Sequence, residues 1–190
     1  MEMLLGVFTA FGLSASAGLN AYIPLLVVGV IAHYTDWIAL SNPWDLLANP
    51  WVLIVLGILV IIEMLVDKIP AVNHINDAIQ TFVRPAAGAI AFAASANVIT
   101  DISPVLALIS GLLVAGSVHA VKSIAVRPVV TATTGGAGNV PVSIAEDIFS
   151  IVMSILAILV PVLVAVLLIV MAVLFFQWKN RRREKANRNI

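Results

Sequence analysis

Charged side chains are few in this chain of 190 residues, and those able to do chemistry fall into three groups. The first is Glu63-Met64-Leu65-Val66-Asp67-Lys68-Ile69-Pro70. Glu63 and Asp67 stand four apart on one helix face, and Pro70 ends that helix. Two carboxylates so close in apolar surroundings repel unless a cation or a proton lies between them, so the pair suits proton or cation binding. The competing reading is an ion pair with Lys68, Arg84 or Arg127 that only joins helices.

The second group is His119, Lys122 and Arg127. His119 and Lys122, three apart, share one face of a helix expected to stop near Arg127-Pro128. They could clamp an anion or phosphate, with the guanidinium as a planar donor, or simply snorkel to an interface. No metal-ligand spacing accompanies His119, so neither a metal site nor a cofactor is expected. The third group runs from Arg127 to Asp147 through Thr131, Thr133, Thr134, Gly135, Gly136, Gly138 and Asn139. Its hydroxyls and open backbone N–H groups could line a polar cavity or form an anion nest. The Gly-Lys-Ser/Thr of a nucleotide loop is missing, and Ser143-x-x-Glu146 reads as a capping box that starts the final helix.

The elements that must position these groups follow from composition. Apolar residues make up 62% of the chain and charged residues 11%, against roughly 45–50% and about 25% in soluble proteins. The mean hydropathy is +1.10, which leaves too little polar surface to coat a water-soluble globule. An all-α integral membrane protein is expected; a disordered chain, a collagen-like chain and a basic nucleic-acid binder are excluded. Without cysteine there is no disulfide, thiolate metal site or thiol nucleophile.

Apolar stretches fall at 4–33, 51–68, 86–99, 104–121 and 143–178. The first exceeds the ~20 residues of one span. Its small-residue run Gly12 to Tyr22, followed by Pro24, either packs tightly on a neighbour or breaks the span in two. Ala15-Ser16-Ala17 resembles a signal cleavage site, but the preceding segment has Glu2 and no Lys or Arg, which argues against one. Tyr34, Trp37, Trp44 and Trp51 read as an interfacial belt. Between Lys68 and Arg84, Val72, Ile75, Ile79 and Phe82 oppose Asn73, Asn76, Asp77 and Gln80. That is a short amphipathic helix for the membrane surface or a cavity mouth. The last stretch would be ~54 Å of helix against a ~30 Å hydrocarbon core, so Pro161 kinks one span or divides two. Five or six spans are expected, in one membrane domain over 1–178.

Residues 179–190 carry six basic groups and one acid, whereas the rest carries four basic groups against nine acids. A basic tail after a long apolar helix is expected on the cytoplasmic side, where anionic lipid can bind it. Six spans would put the loops bearing Lys68, Arg84, Lys122 and Arg127 on that side too. Aligning 12–22 with 111–121 superposes Gly12 on Gly111, Asn20 on His119 and Ala21 on Ala120. Ile62-Glu63 resembles Ala145-Glu146, and Val83-Arg84-Pro85 recurs as Val126-Arg127-Pro128. Half-repeats 1–100 and 101–178 are an open reading, inverted if each holds three spans.

The chain resembles the bacterial and plant membrane proteins grouped as domain of unknown function 4126. The resemblance rests on Gly18-Leu19-Asn20-Ala21-Tyr22-Ile23-Pro24-Leu25-Leu26, Asp67-Lys68-Ile69-Pro70, Thr81-Phe82-Val83-Arg84-Pro85-Ala86-Ala87-Gly88 and the segment from Arg127-Pro128 to Glu146-Asp147. It implies a polytopic membrane protein and brings no catalytic residues.

The leading expectation is a small transporter or flippase-like protein for an anionic or zwitterionic solute or lipid, with a buried carboxylate free to carry a proton. Its cavity would be lined by Asn20, Glu63, Asp67, Lys68, Arg84, His119, Lys122, Arg127, Thr131, Gly135, Asn139, Glu146 and Asp147. The rival is a scaffold or accessory subunit whose charges are structural. An enzyme is least expected, as neither His-Glu-x-x-His nor Gly-x-Ser-x-Gly occurs. The partners expected are the lipid bilayer, of a bacterial cytoplasmic membrane, and anionic lipid, with no nucleic acid; a homo-oligomer is left open.

Overall fold

The first apolar stretch forms two helices, α1 (Glu2–Leu19) and α2 (Tyr22–Tyr34), interrupted at Asn20-Ala21. Asn20 causes the break by turning its side chain onto its own backbone. Its Oδ1 accepts from the N–H of Tyr22 and of Ile23, both at 3.2 Å. Pro24, next in the turn, has no N–H to satisfy, so α2 starts with few orphan donors. The small residues before the break pack as well as break. Gly18 lies against Ala115 and Val118, and Ser14 Oγ donates to the Gly111 carbonyl at 2.7 Å. A side chain at Gly88 would collide with Ala115 and Ser14, so the helical segments around Ser14, Gly88 and Gly111 cross as closely as backbones allow.

This computed structural model describes residues 2–96 and 103–161, with 163, 166, 170 and 177; for 2–4, 70–75 and 96 it describes the backbone alone. Among the described residues every regular element is helical. After a 3₁₀ turn at Trp44–Ala48 come α3 (Pro50–Val66), α4 (Pro70–Ala96) and α5 (Pro104–Ala120). A π-helical stretch, Val121–Val126, runs on into α6 (Arg127–Thr134), and α7 (Asn139–Leu159) closes the order. Two helices are long and apolar enough to cross a membrane, the continuous Pro104–Thr134 and Asn139–Leu159. α1 is central, held by α4, α5 and α7, while α2 lies on α3 and α7.

Three expectations change. The amphipathic segment is no separate helix: α4 runs unbroken through Pro85, and its polar face turns inward. Asn76, Gln80 and Arg84 are buried, while Ile79 and Phe82 are exposed; the side chains of Val72, Asn73 and Ile75 lie outside the described residues. The final helix starts at Asn139, not at Ser143, because Pro141 fits the first turn, where its missing N–H costs nothing. Ser143 is therefore interior and Glu146 caps nothing. Trp44 packs against the cluster of Ala10, Phe92, Ala93 and Ala107, whereas Tyr34, Trp37 and Trp51 are exposed as a belt would be. α7 ends at Leu159, with Val160 as its C-cap just before Pro161; the basic tail lies outside the described residues.

The inside is unusually polar and the outside apolar. Ser16 Oγ lies 2.7 Å from both Ser150 Oγ and Ser154 Oγ, and all three serines are buried. Outward, α3 exposes Ile54, Val55, Ile58, Ile61 and Leu65.

Candidate functional site

The broken helix provides the frame of the site. At Asn20-Ala21 the N–H of Ala21 leaves the helical ladder and is bound by Glu63 from α3, at 3.2 Å to Oε1 and 3.0 Å to Oε2. On the other side of the break the Leu19 carbonyl accepts from Lys122 Nζ at 3.0 Å. A carboxylate thus meets the positive N-terminal end of α2 and an ammonium meets the negative C-terminal end of α1. Asn20 also donates through Nδ2 to Asp147 Oδ1 on α7 at 3.0 Å.

Around this break lies a closed network of ions. Arg84, with no exposure, donates from Nη2 to Glu63 Oε1 at 3.0 Å and to Asp67 Oδ2 at 3.3 Å. It is the cation required between two carboxylates four apart. Asp67 Oδ2 also meets Lys122 Nζ at 3.4 Å and Arg127 Nη2 at 3.2 Å, while its Oδ1 accepts from Asn76 Nδ2 at 2.6 Å. Lys122 and Arg127 both reach Glu146 Oε2, at 2.9 and 3.2 Å. Lys68 pairs with Asp147 Oδ2 at 3.1 Å.

The π-helical stretch explains how Lys122 and Arg127 can share partners. Five residues apart in an α-helix they would point about 140° from each other. Here the Arg127 N–H bonds the Lys122 carbonyl, five residues back, which stacks the two on one face. Pro128 favours this winding, because it has no N–H for the Ile124 carbonyl.

His119 is held in one tautomer by its neighbours. Arg84 Nη1 lies 3.2 Å from its Nδ1, and an arginine can only donate, so Nδ1 accepts. The ring proton is then on Nε2, 3.2 Å from Thr81 Oγ1, whose own proton goes to the Asp77 carbonyl at 2.8 Å. The imidazole is neutral and contributes no positive charge to an anion clamp.

Ten of the expected residues converge: Asn20, Glu63, Asp67, Lys68, Arg84, His119, Lys122, Arg127, Glu146 and Asp147. Thr131, Gly135 and Asn139 do not. Gly135 takes φ 63° in the exposed turn after α6, and Asn139 Nδ2 donates to Thr131 Oγ1 at 2.8 Å, one turn away from the cluster. Asn76 belongs to the site although spacing did not single it out; its place on the polar face of α4 was the available signal. A cleft of about 320 Å³ reaches Glu63 between Tyr22, Leu59, Ile62, Val66, Ile79 and Gln80. Chemically, the cluster can hold charge without net excess and exchange one ion pair for another. No group of three or more His, Cys, Asp or Glu fit to hold a metal occurs among the described residues.

No curated protein and no solved structure matches the chain. A family model does, over residues 7–181, which includes every residue of the cluster. The chain belongs to the family described as Domain of unknown function (DUF4126).

Proposed function

We propose that the chain is a polytopic membrane protein that moves a small zwitterionic or anionic solute, or a lipid bearing such a headgroup, past the buried cluster. The observation that carries this reading is the interrupted helix, whose two freed ends are each held by an opposite charge. Broken helices with ends turned to ions are the way transporters build sites inside a bilayer. A zwitterion has the groups to replace both: its acidic end could displace Glu63 from the start of α2, and its ammonium could displace Lys122 from the Leu19 carbonyl. A displaced carboxylate could then take up a proton, which would couple movement to pH.

Support for the membrane comes from the apolar outer faces of α3, α5 and α7 around a polar interior, the inverse of a soluble protein. α1 and α2, of 18 and 13 residues, give together ~46 Å of apolar helix, more than the ~30 Å of one crossing. An inverted repeat gains support from where the irregularities fall. The alignment that superposes Asn20 on His119 puts the break of α1 beside the onset of the π-helical stretch at Val121. The basic tail would then face the cytoplasm, in a bacterial inner membrane.

The rival reading, a scaffold held together by ion pairs, draws on one observation: each charge of the cluster has a partner of opposite sign. The two separate on Glu63→Gln and Glu146→Gln in purified protein reconstituted in liposomes. Transport predicts that pH-driven uptake, or labelled-lipid flipping, is lost in both while binding survives. Unchanged flux with lowered melting temperature in both would leave the scaffold.

A further inference from the structure

Six buried side-chain atoms have no hydrogen-bond partner among the described residues, and four of them lie in the hairpin of α6 and α7. They are Arg127 Nε and Nη1, Asn139 Oδ1 and Ser143 Oγ. The other two, on Asp77 and Gln80, lie on α4. Concentration in one hairpin needs a local cause.

The register of the hairpin puts the four in line. α6 and α7 are antiparallel across the turn 135–138, with Thr131 bonded to Asn139. One turn deeper on each helix stand Arg127 and Ser143, and Arg127 is bonded to Glu146, on the face of α7 that also carries Ser143. Exposure falls along this line: Thr131 is exposed, Asn139 half-buried, Arg127 5% exposed and Ser143 not exposed at all. Arg127 spends only Nη2 on its two carboxylates, although a guanidinium has five donors. Buried donors and acceptors are rarely left unmade, because each such group loses its hydration without return. Partners for this seam must therefore come from beyond the described residues, and water is the smallest group that serves donors and acceptors alike.

We propose that the α6–α7 seam is a hydrated access path, open at the Gly135–Gly138 turn and ending at Asp67 and Glu146, that admits water and small hydrophilic solutes. Both donors and acceptors line it, as water requires, and apolar molecules would leave the same atoms unsatisfied. The path extends the transport reading, yet a scaffold could possess it too, so its test involves no flux.

The chain has no cysteine, so any introduced thiol is unique. Ser143→Cys and Ser150→Cys form a matched pair: both serines lie on α7 and both are fully buried. They differ in that Ser150 Oγ is bonded to Ser16 and Ser143 Oγ is not. In membranes, the small hydrophilic reagent 2-sulfonatoethyl methanethiosulfonate should modify the thiol of the Ser143→Cys variant at least tenfold faster than that of the Ser150→Cys variant. Equal rates would overturn the proposal. Should Ser143→Cys not fold, water-edited solid-state NMR on the unmodified protein gives the same comparison. Magnetisation should pass from water to Ser143 faster than to Ser150, and equal build-up would overturn the path.

Discussion

Arg84 has no solvent exposure and gives donors to Glu63, Asp67 and His119, so its loss strips both carboxylates of the cation between them. Arg84→Ala should cost about 3–5 kcal/mol, as breaking a buried pair does. Adding Glu63→Gln should recover part of the loss in thermal denaturation, since the remaining amide still accepts from Ala21. If the double variant is no more stable than the single one, Glu63 is not the charge that Arg84 neutralises. At this scale the sequence was informative about which residues matter and less so about how they pair. A charge inside an apolar stretch must find an opposite one wherever the fold brings it, so Glu63, Asp67 and Arg127 were identifiable from their surroundings. The role of Glu146 was not, because Ser143 three residues before it imitates a cap while Pro141 allows an earlier start.

Among the elements, the break between α1 and α2 depends on a residue that both caps and bridges. Asn20 satisfies the N–H of Tyr22 and Ile23 and donates to Asp147. Asn20→Ala should therefore cost about 1–2 kcal/mol for the lost cap. Asn20→Ser keeps capping ability and should recover some of it. Asn20→Asp caps equally well but sets a carboxylate against Asp147, so its melting temperature should fall below that of the Ser variant. The reverse order would mean that the contact with Asp147 contributes nothing. The run Gly12 to Tyr22 with Pro24 already offered packing or breaking as alternatives, and the chain does both. Continuity was harder to read. The segment between Lys68 and Arg84 read as a short helix of its own, yet α4 runs on through Pro85 with its polar face against the cluster. Lys122 and Arg127 were grouped by their place in the sequence, but the π-helical winding at Val121–Val126 that sets them on one face has no period that a helical face count detects.

For the whole molecule, composition was the strongest signal: so apolar a chain led to an all-α expectation, and every regular element among the described residues is helical. The number of crossings such a chain would make is a separate matter, since a helix that ends at Leu159 is compatible with one span or two in 143–178. A reporter fused after Ile190 addresses this: the basic tail should make it active only as a cytoplasmic fusion. External activity would reverse the proposed orientation. The distribution of charge among the helices also bears on how the protein is made. Until α7 emerges from the ribosome, Glu63 and Asp67 face four cations, Lys68, Arg84, Lys122 and Arg127; Glu146 and Asp147 arrive last and bring the balance to zero. A nascent chain that stalls before α7 would hold unmatched positive charge inside its bundle, a costly state away from water. Electrical neutrality of the cluster therefore arrives only with the start of α7, and a protease could distinguish a product truncated before Glu146 by that imbalance alone.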